Sequence, residues 1–358
     1  MKRNNLNNNS VKGLMHIKLI ALFILTVLFF SACEKSEWMS DGDYFFLENK
    51  GAVMPVWVNG NIASGTFIIT NHGGPMRNTG HDFHISSAFK QLEQEYALVY
   101  WDQRMSGFAQ GDPKIEDLSV EQHIEDLEQL TELIIQRYKP KSMFCLGHSW
   151  GGALTGGYLG SKNHQDLFKG WIDVDGSIQQ EFENQAKKDW IFARIDTTMA
   201  HSDDPEFWQF IIDWYEDNPN PVETDIEPYD YVALLNGAVF DYEKFLEEVP
   251  IDYIELATNS PFTFAYFWSQ HRSKESLGWI NGYDVTEQVA NIHIPALLIW
   301  GEEDGNVPPS VGEFAYNLLA TDPADKSFVL VEGSAHGPHM EKPDEFYFHV
   351  QSFVEKYK

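Results

Sequence analysis

Gly147-His148-Ser149-Trp150-Gly151 sets a serine between two glycines, each two residues away. Before it, Met143 to Leu146 is an apolar run that reads as a buried strand. After it, Gly151, Gly152, Ala153, Gly156 and Gly157 let a helix approach a sheet closely. A serine that attacks a carbonyl must stand on a sharp strand-to-helix turn, its hydroxyl clear of the sheet. Side chains two residues to either side would collide there, so glycine is what the turn tolerates. The N-terminus of the following helix favours the negative charge that develops during attack. An ordinary serine in a glycine-rich turn would share the five-residue pattern; the strand before and the small-residue helix after favour a nucleophile.

A serine nucleophile needs a base, and the base needs an orienting acid. For this kind of turn the chain order is serine, acid, histidine. Gly301-Glu302-Glu303-Asp304-Gly305 follows the apolar run Ala296–Trp300. Glu332-Gly333-Ser334-Ala335-His336-Gly337-Pro338-His339 follows the run Ser327–Val331. Both segments fall just past strand carboxyl ends, where open α/β sheets place their sites. Asp304 is therefore the expected acid and His336 the expected base. Glu302 and Glu303 compete with Asp304, and Asp175 competes less strongly. His339 rivals His336, which follows its strand sooner. Attack also creates an oxyanion that backbone N–H groups must meet. One is expected from Trp150, the residue after the serine. The other is expected from the turn His72-Gly73-Gly74, at Gly74.

The elements that must hold these residues follow the chain. Tyr44–Glu48 and Met54–Asn59, joined through Gly51, suggest an antiparallel hairpin. Thr66–Thr70 reads as a central strand, Phe83 to Tyr96 as a helix and Ala97–Trp101 as a strand. Val120, Ile124, Leu127, Leu130, Ile134 and Tyr138 recur at helical spacing. Strands follow over Gly170–Gly176, Ala296–Trp300 and Ser327–Val331, and a closing helix carries Phe346, Val350, Phe353 and Tyr357. Strands alternating with helices imply an α/β fold with a mostly parallel sheet. Residues 178–290 break the rhythm: they are acidic, aromatic and helix-like, and read as a cap over the site. Most of the cap aromatics, among them Trp190, Trp208, Tyr215, Tyr229 and Trp268, are expected to form its own core, with a few lining the pocket.

The chain has 358 residues, 25 basic and 54 acidic, for a net charge of −29. That balance argues against nucleic acid, whose phosphates would be repelled. Hydrophobic residues make up 43%, enough for a large core. Two cysteines, Cys33 and Cys145, leave no disulfide framework. Lys2, Arg3, Lys12 and Lys18 precede the apolar run Leu19–Phe30, and Ser31-Ala32-Cys33 follows it. This reads as an export signal over 1–32, followed by a polar tether over 33–43. Phe30-Ser31-Ala32-Cys33 resembles a bacterial lipoprotein processing site, which implies lipidation of Cys33 and attachment to a membrane outside the cytoplasm. An uncleaved N-terminal anchor is the alternative.

Together the residues resemble the α/β-hydrolases, and within them the prolyl iminopeptidase branch. The matching segments are His72-Gly73-Gly74-Pro75, Asp102-Gln103-Arg104, Gly147–Gly152, the Asp304 segment, and the His336 segment with Glu341 and Pro343. The resemblance implies an eight-stranded sheet, a core over 44–177 and 291–358, a helical cap over 178–290 and no cofactor. It also implies cap glutamates that bind a substrate's N-terminal amine, with Glu216 and Glu255 among many candidates. The chain departs from the branch in having Met76, Met105 and His148 where glycine is usual. Ser149 excludes the aspartate nucleophile of epoxide hydrolases and haloalkane dehalogenases. The activity so implied is release of N-terminal proline or another small residue from peptides. A carboxylesterase acting on small esters and a non-catalytic, lipid-anchored binding protein are the alternatives.

Overall fold

The structure, a computed structural model, describes residues 42–74, 79–201, 205–217 and 282–358. The readings placed on the signal segment, on Cys33, on Pro75 and Met76, and on Tyr229, Glu255 and Trp268 lie outside these residues. The strands are β1 (Asp43–Asn49), β2 (Ala52–Gly60), β3 (Thr66–Asn71), β4 (Ala97–Trp101), β5 (Gln110–Gly111), β6 (Ser142–His148), β7 (Gly170–Val174), β8 (Ala296–Gly301) and β9 (Lys326–Val331). The helices are α1 (His81–Ile85), α2 (Ser87–Glu95), α3 (Val120–Tyr138), α4 (Trp150–Leu159), α5 (Gln180–His201), α6 (Pro205–Asp217), α7 (Thr286–Ala290), α8 (Pro309–Leu318), α9 (Pro338–Glu341) and α10 (Pro343–Tyr357).

One sheet runs β1-β2-β4-β3-β6-β7-β8-β9, with the two-residue β5 paired beside β2. The main path thus has the eight strands implied by the resemblance. β1, β2 and β4 are antiparallel neighbours, and every pairing from β4 through β3 to β9 is parallel. The hairpin turn is Lys50-Gly51, both residues at positive φ (42° and 80°), the backbone that matches the twist of flanking strands. β3, β4, β7 and β8 are buried along their whole length, which suits strands covered by helices on both faces. Alternate side chains separate into two layers: Phe67, Val99, Cys145, Trp171 and Leu298 on one face, Ile68, Leu98, Phe144, Ile172 and Ile299 on the other.

The helix expected from Phe83 to Tyr96 is broken at Ser86, whose backbone is extended (φ −66°, ψ 134°). Its hydroxyl accepts from the Ala88 N–H at 3.3 Å and donates to the His339 carbonyl at 2.5 Å, which caps α2 and ties it to α9. Between β7 and β8 stand α5 and α6. They bury Trp190, Ile191 and Ile195 against Trp208, Ile211 and Tyr215, so these aromatics form a core between the two helices.

Candidate active site

β6 delivers Ser149 at the C-terminal end of the sheet with φ 56° and ψ −127°, left-handed and unusual for a residue with a Cβ. The surrounding bonds hold that strain. The Ser149 N–H donates to Val174 O at 3.0 Å, and its carbonyl accepts from the N–H groups of Gly152 at 2.7 Å and Ser177 at 2.9 Å. A Cβ on Gly147 would stand 2.2 Å from Gly151 O, and one on Gly151 would stand 2.0 Å from Asn71 O. Here glycine is a packing requirement. Gly73 lies against Ser149, because a Cβ on it would meet the Ser149 Cβ at 2.8 Å and Oγ at 3.2 Å. Gly74 follows at φ 49°. Trp150 is the first residue of α4, so its N–H has no partner within the helix.

Asp304 and His336 meet: Nδ1 of the imidazole lies 2.8 Å from Oδ2 of the buried carboxylate. The other oxygen, Oδ1, accepts from the N–H groups of Asn306 at 2.8 Å and Val307 at 2.9 Å. With Oδ2 as acceptor, Nδ1 carries the proton and Nε2 is left free to take one. No hydrogen bond joins Ser149 Oγ to His336 among the described residues; such contacts often tighten only when substrate binds. Glu302 is exposed, and Glu303 pairs with Arg194 at 3.3 Å, so neither faces the imidazole.

His339 is packed among Phe83, Phe89 and Phe346, and burial pushes its pKa down to about 3. That site suits a neutral core histidine. Asp175 is fully buried at the end of β7, and its Oδ1 accepts from the Gly301 N–H at 2.8 Å. Burial, and then the neighbouring Asp304 charge, raise its carboxyl well above the ordinary range. His148, Asp175 and His336 each offer a metal-ligand atom within 4.8 Å of the other two. The ring nitrogens bound so far are Nδ1 of His336, to Asp304, and Nε2 of His148, 2.8 Å from His336 O. With Asp175 Oδ1 held by Gly301, the cluster is organised as a hydrogen-bond network.

A family model described as alpha/beta hydrolase fold matches residues 66–343. The chain belongs to this family. Similarity extends to a probable aminopeptidase, YbaC, of Bacillus subtilis, 23% identical over 299 residues that cover 81% of this chain and 89% of the relative. A proline iminopeptidase of Saccharolobus solfataricus is 24% identical over 301 residues, covering 81% of this chain and 84% of its own length. Among solved structures, the esterase RhEst1 of Rhodococcus sp. ECU1013 superposes with a TM-score of 0.58 at 18% identity, covering 89% of this chain and 100% of the other.

In this α/β-hydrolase the two motifs outside the Ser149 turn are bonded to each other, a relationship that spacing along the chain does not reveal. The Gln103 N–H donates to His72 Nε2 at 3.1 Å, and its side-chain amide donates to His72 O at 2.8 Å. Gln103 Oε1 then accepts from the Trp150 indole at 3.0 Å. One glutamine therefore joins the His72-Gly73-Gly74 turn to the first residue of α4. Burial pushes His72 down to about 4, so its imidazole stays neutral and Nε2 can accept. Asp102 accepts from Thr79 Oγ1 and Gly80 N–H, both at 2.7 Å, and from Phe108 N–H at 2.6 Å. Arg104 donates through Nε and Nη2 to the two oxygens of Asp126 at 2.5 and 2.6 Å, both residues fully buried. Met105 keeps the left-handed backbone (φ 61°) that glycine would adopt without strain.

Two contacts hold the loops that carry Asp304 and His336. Glu341 Oε2 accepts from Ser334 Oγ at 3.0 Å and from Ala335 N–H at 2.6 Å, immediately before His336. Trp190 of α5 covers Gly305, where a Cβ would be 2.8 Å from the ring, and Arg194 stacks on that ring at 4.2 Å. Of the carboxylates on α5 and α6, Glu183 alone is buried, with the Tyr283 hydroxyl donating to it; Glu216 is exposed.

Proposed function

We propose that this α/β-hydrolase is a serine aminopeptidase that releases N-terminal proline or another small residue, with Ser149, His336 and Asp304 as its triad. The observation that carries the reading is the 2.8 Å bond from His336 Nδ1 to a buried Asp304, at the same sheet end as a serine held at φ 56°. His336 Nε2 takes the Ser149 proton as Oγ attacks the scissile carbonyl, and returns it to the leaving amine. Asp304 keeps Nδ1 protonated and stabilises the imidazolium. The N–H groups of Trp150 and Gly74 receive the oxyanion. Water then releases the acyl group by the reverse use of the same base.

Aminopeptidase specificity needs a partner for the substrate's α-ammonium, and Glu183 is the buried cap carboxylate that supports it. The relatives named as aminopeptidase and proline iminopeptidase support the same reading. Esterase action on the same machinery is the second reading, favoured by His148, which stands where the iminopeptidase branch usually has glycine next to the nucleophile. Steady-state rates on prolyl and alanyl anilides, their N-acetyl forms and short-chain p-nitrophenyl esters separate the two. A site built around an ammonium rejects the acetylated form by a large factor, because its carboxylate is left unpaired. Equal rates on free and acetylated anilides, or activity on esters alone, would sink the aminopeptidase reading. Export and lipidation at Cys33 belong to the same proposal, on the strength of residues 1–33.

A further inference from the structure

Asp175 lies one strand away from Asp304 and carries three features that its hydrogen bond to Gly301 does not explain. Its backbone is left-handed, φ 45°, in a residue with a Cβ, and strain of this kind clusters at functional sites. Its Oδ2 is buried and receives no N–H or O–H donor, and the group its carboxyl faces is the carboxyl of Asp304. Its carboxyl lies within 4.8 Å of a ring nitrogen of His336 and of one of His148.

We propose that Asp175 is a second, reserve acid of the triad: a positioning residue able to hold the His336 imidazole in its working tautomer when Asp304 is neutralised. The proposal rests on the triad reading above and adds to it. Asp304 fills its own oxygens with His336, Asn306 and Val307, so it holds the base while it is ionised. Asp175 stays neutral beside it, since two adjacent carboxylates resist ionising together. The charged and titratable groups around it are Asp304 and His336 from the loops after β8 and β9, His148 from the end of β6, and Glu341 from α9. Remove the Asp304 charge and Asp175 ionises more easily. A hydrogen bond needs roughly 3 Å, so a shift of less than about 2 Å closes the gap between the His336 ring nitrogen and the Asp175 carboxyl.

The experiment is a double-mutant cycle on the full chain with Asp304→Asn, Asp175→Asn and both, reading kcat/KM against pH on the best substrate of the panel above. Asparagine at 175 keeps an oxygen for the Gly301 N–H, so the loop bond survives. Asp304→Asn is expected to lose about 10²-fold, and the double variant about 10⁴-fold, the loss seen when a triad acid is neutralised with no substitute. Residual activity of Asp304→Asn should rise with pH along an added limb, absent from the wild type, as Asp175 ionises. The sign follows from burial, which holds Asp175 above the usual carboxylate range, and its ionised form is the one needed. Asp175→Asn in that background should abolish the limb. A merely structural Asp175 would lower both backgrounds by the same factor and leave the pH profile unmoved, which overturns the proposal. Asp175→Asn alone costing as much as Asp304→Asn overturns it too, by making Asp175 the primary acid. Asp304→Ala is run in parallel with thermal melts so that misfolding of one variant does not decide the matter. Ser149→Ala retaining turnover would instead remove the triad reading beneath it.

Discussion

Nε2 of His148, the residue before Ser149, lies 2.8 Å from the carbonyl oxygen of His336. This bond joins the Ser149 turn to the loop that carries the proposed base. Burial, and then the charge His336 takes on, hold the His148 imidazole well below the ordinary histidine range, so it stays neutral and donates through Nε2. Its ring also packs against those of His336 and His339, each with centroids 4.9 Å away. His148→Gly restores what the iminopeptidase branch usually has but removes the tie. One net hydrogen bond is worth about 1 kcal/mol, so kcat should fall roughly fivefold with KM little changed. An unchanged kcat would show that the base loop is held by Glu341 and Asp304 alone.

Ser149→Ala and His336→Ala should each abolish turnover, because the two act as one unit. Wild-type labelling by a fluorophosphonate should vanish in Ser149→Ala while thermal melts stay close to those of the wild type. His339→Ala is the control and should keep most activity. A His339 variant as inactive as His336→Ala would mean the base was misassigned.

His339 also supplies a stability test. Its folded pKa of about 3 lies below the ordinary 6.5, so the unfolded chain binds its proton first as pH falls. The stability associated with its neutral form is complete above pH 6.5 and drains away as pH drops toward 3. His339→Phe, seated among Phe83, Phe89 and Phe346, removes that titration. Relative to wild type it should gain about 2 kcal/mol between pH 8 and pH 5, since each pH unit below 6.5 is worth about 1.4 kcal/mol. Parallel urea curves at the two pH values, with no change in the difference, would contradict the assignment of a buried neutral imidazole.

The strands around the site were legible because each is an apolar run that stops at glycine or a polar residue. Helix α3 was legible because Leu127, Leu130 and Ile134 recur at its period; the structure adds a cap, Ser119, which accepts from the Gln122 N–H at 3.3 Å. Asp304 and His336 could be placed from their position after β8 and β9. The break at Ser86 was not legible, because Phe83, Phe89 and Leu92 keep a helical rhythm across it and its partner, His339, is 253 residues away. Separation in sequence also hid the clamp made by Gln103, 31 residues from His72 and 47 from Trp150, and the closeness of Asp175 to Asp304. Side-chain bonds between distant segments leave no periodic trace.

Arg104 and Asp126 make a test of the motif's structural half. Both are fully buried, and Asp126 also accepts from Asn49 at 2.8 Å and Gln122 at 3.3 Å. Arg104→Met leaves a buried carboxylate without its cation, which should cost about 3–5 kcal/mol in urea unfolding. Adding Asp126→Leu removes the stranded charge and should recover much of that loss. A single variant as stable as the wild type would show that water reaches the pair.

The last prediction concerns where the enzyme is held. β1 runs in the direction of the parallel strands, since β2 is antiparallel to both β1 and β4. Asp43, its first residue, therefore lies at the end of the sheet where Thr66, Ala97 and Ser142 begin, and is bonded there to Arg137 and Tyr138. Ser149 follows β6 at the opposite end, about 20 Å away for a strand of seven residues. A lipid on Cys33 would join the described fold through Asp43, at the end of the sheet opposite Ser149. Full-length protein should therefore incorporate a palmitate analogue and partition into detergent. Cys33→Ser should lose the label and enter the soluble fraction with kcat/KM on small anilides unchanged, because the anchored end carries none of the proposed triad. A label that persists in Cys33→Ser, or is missing from the wild type, would remove the lipid anchor. A soluble Cys33→Ser protein with altered kcat/KM would instead place the anchor close enough to the site to act on it.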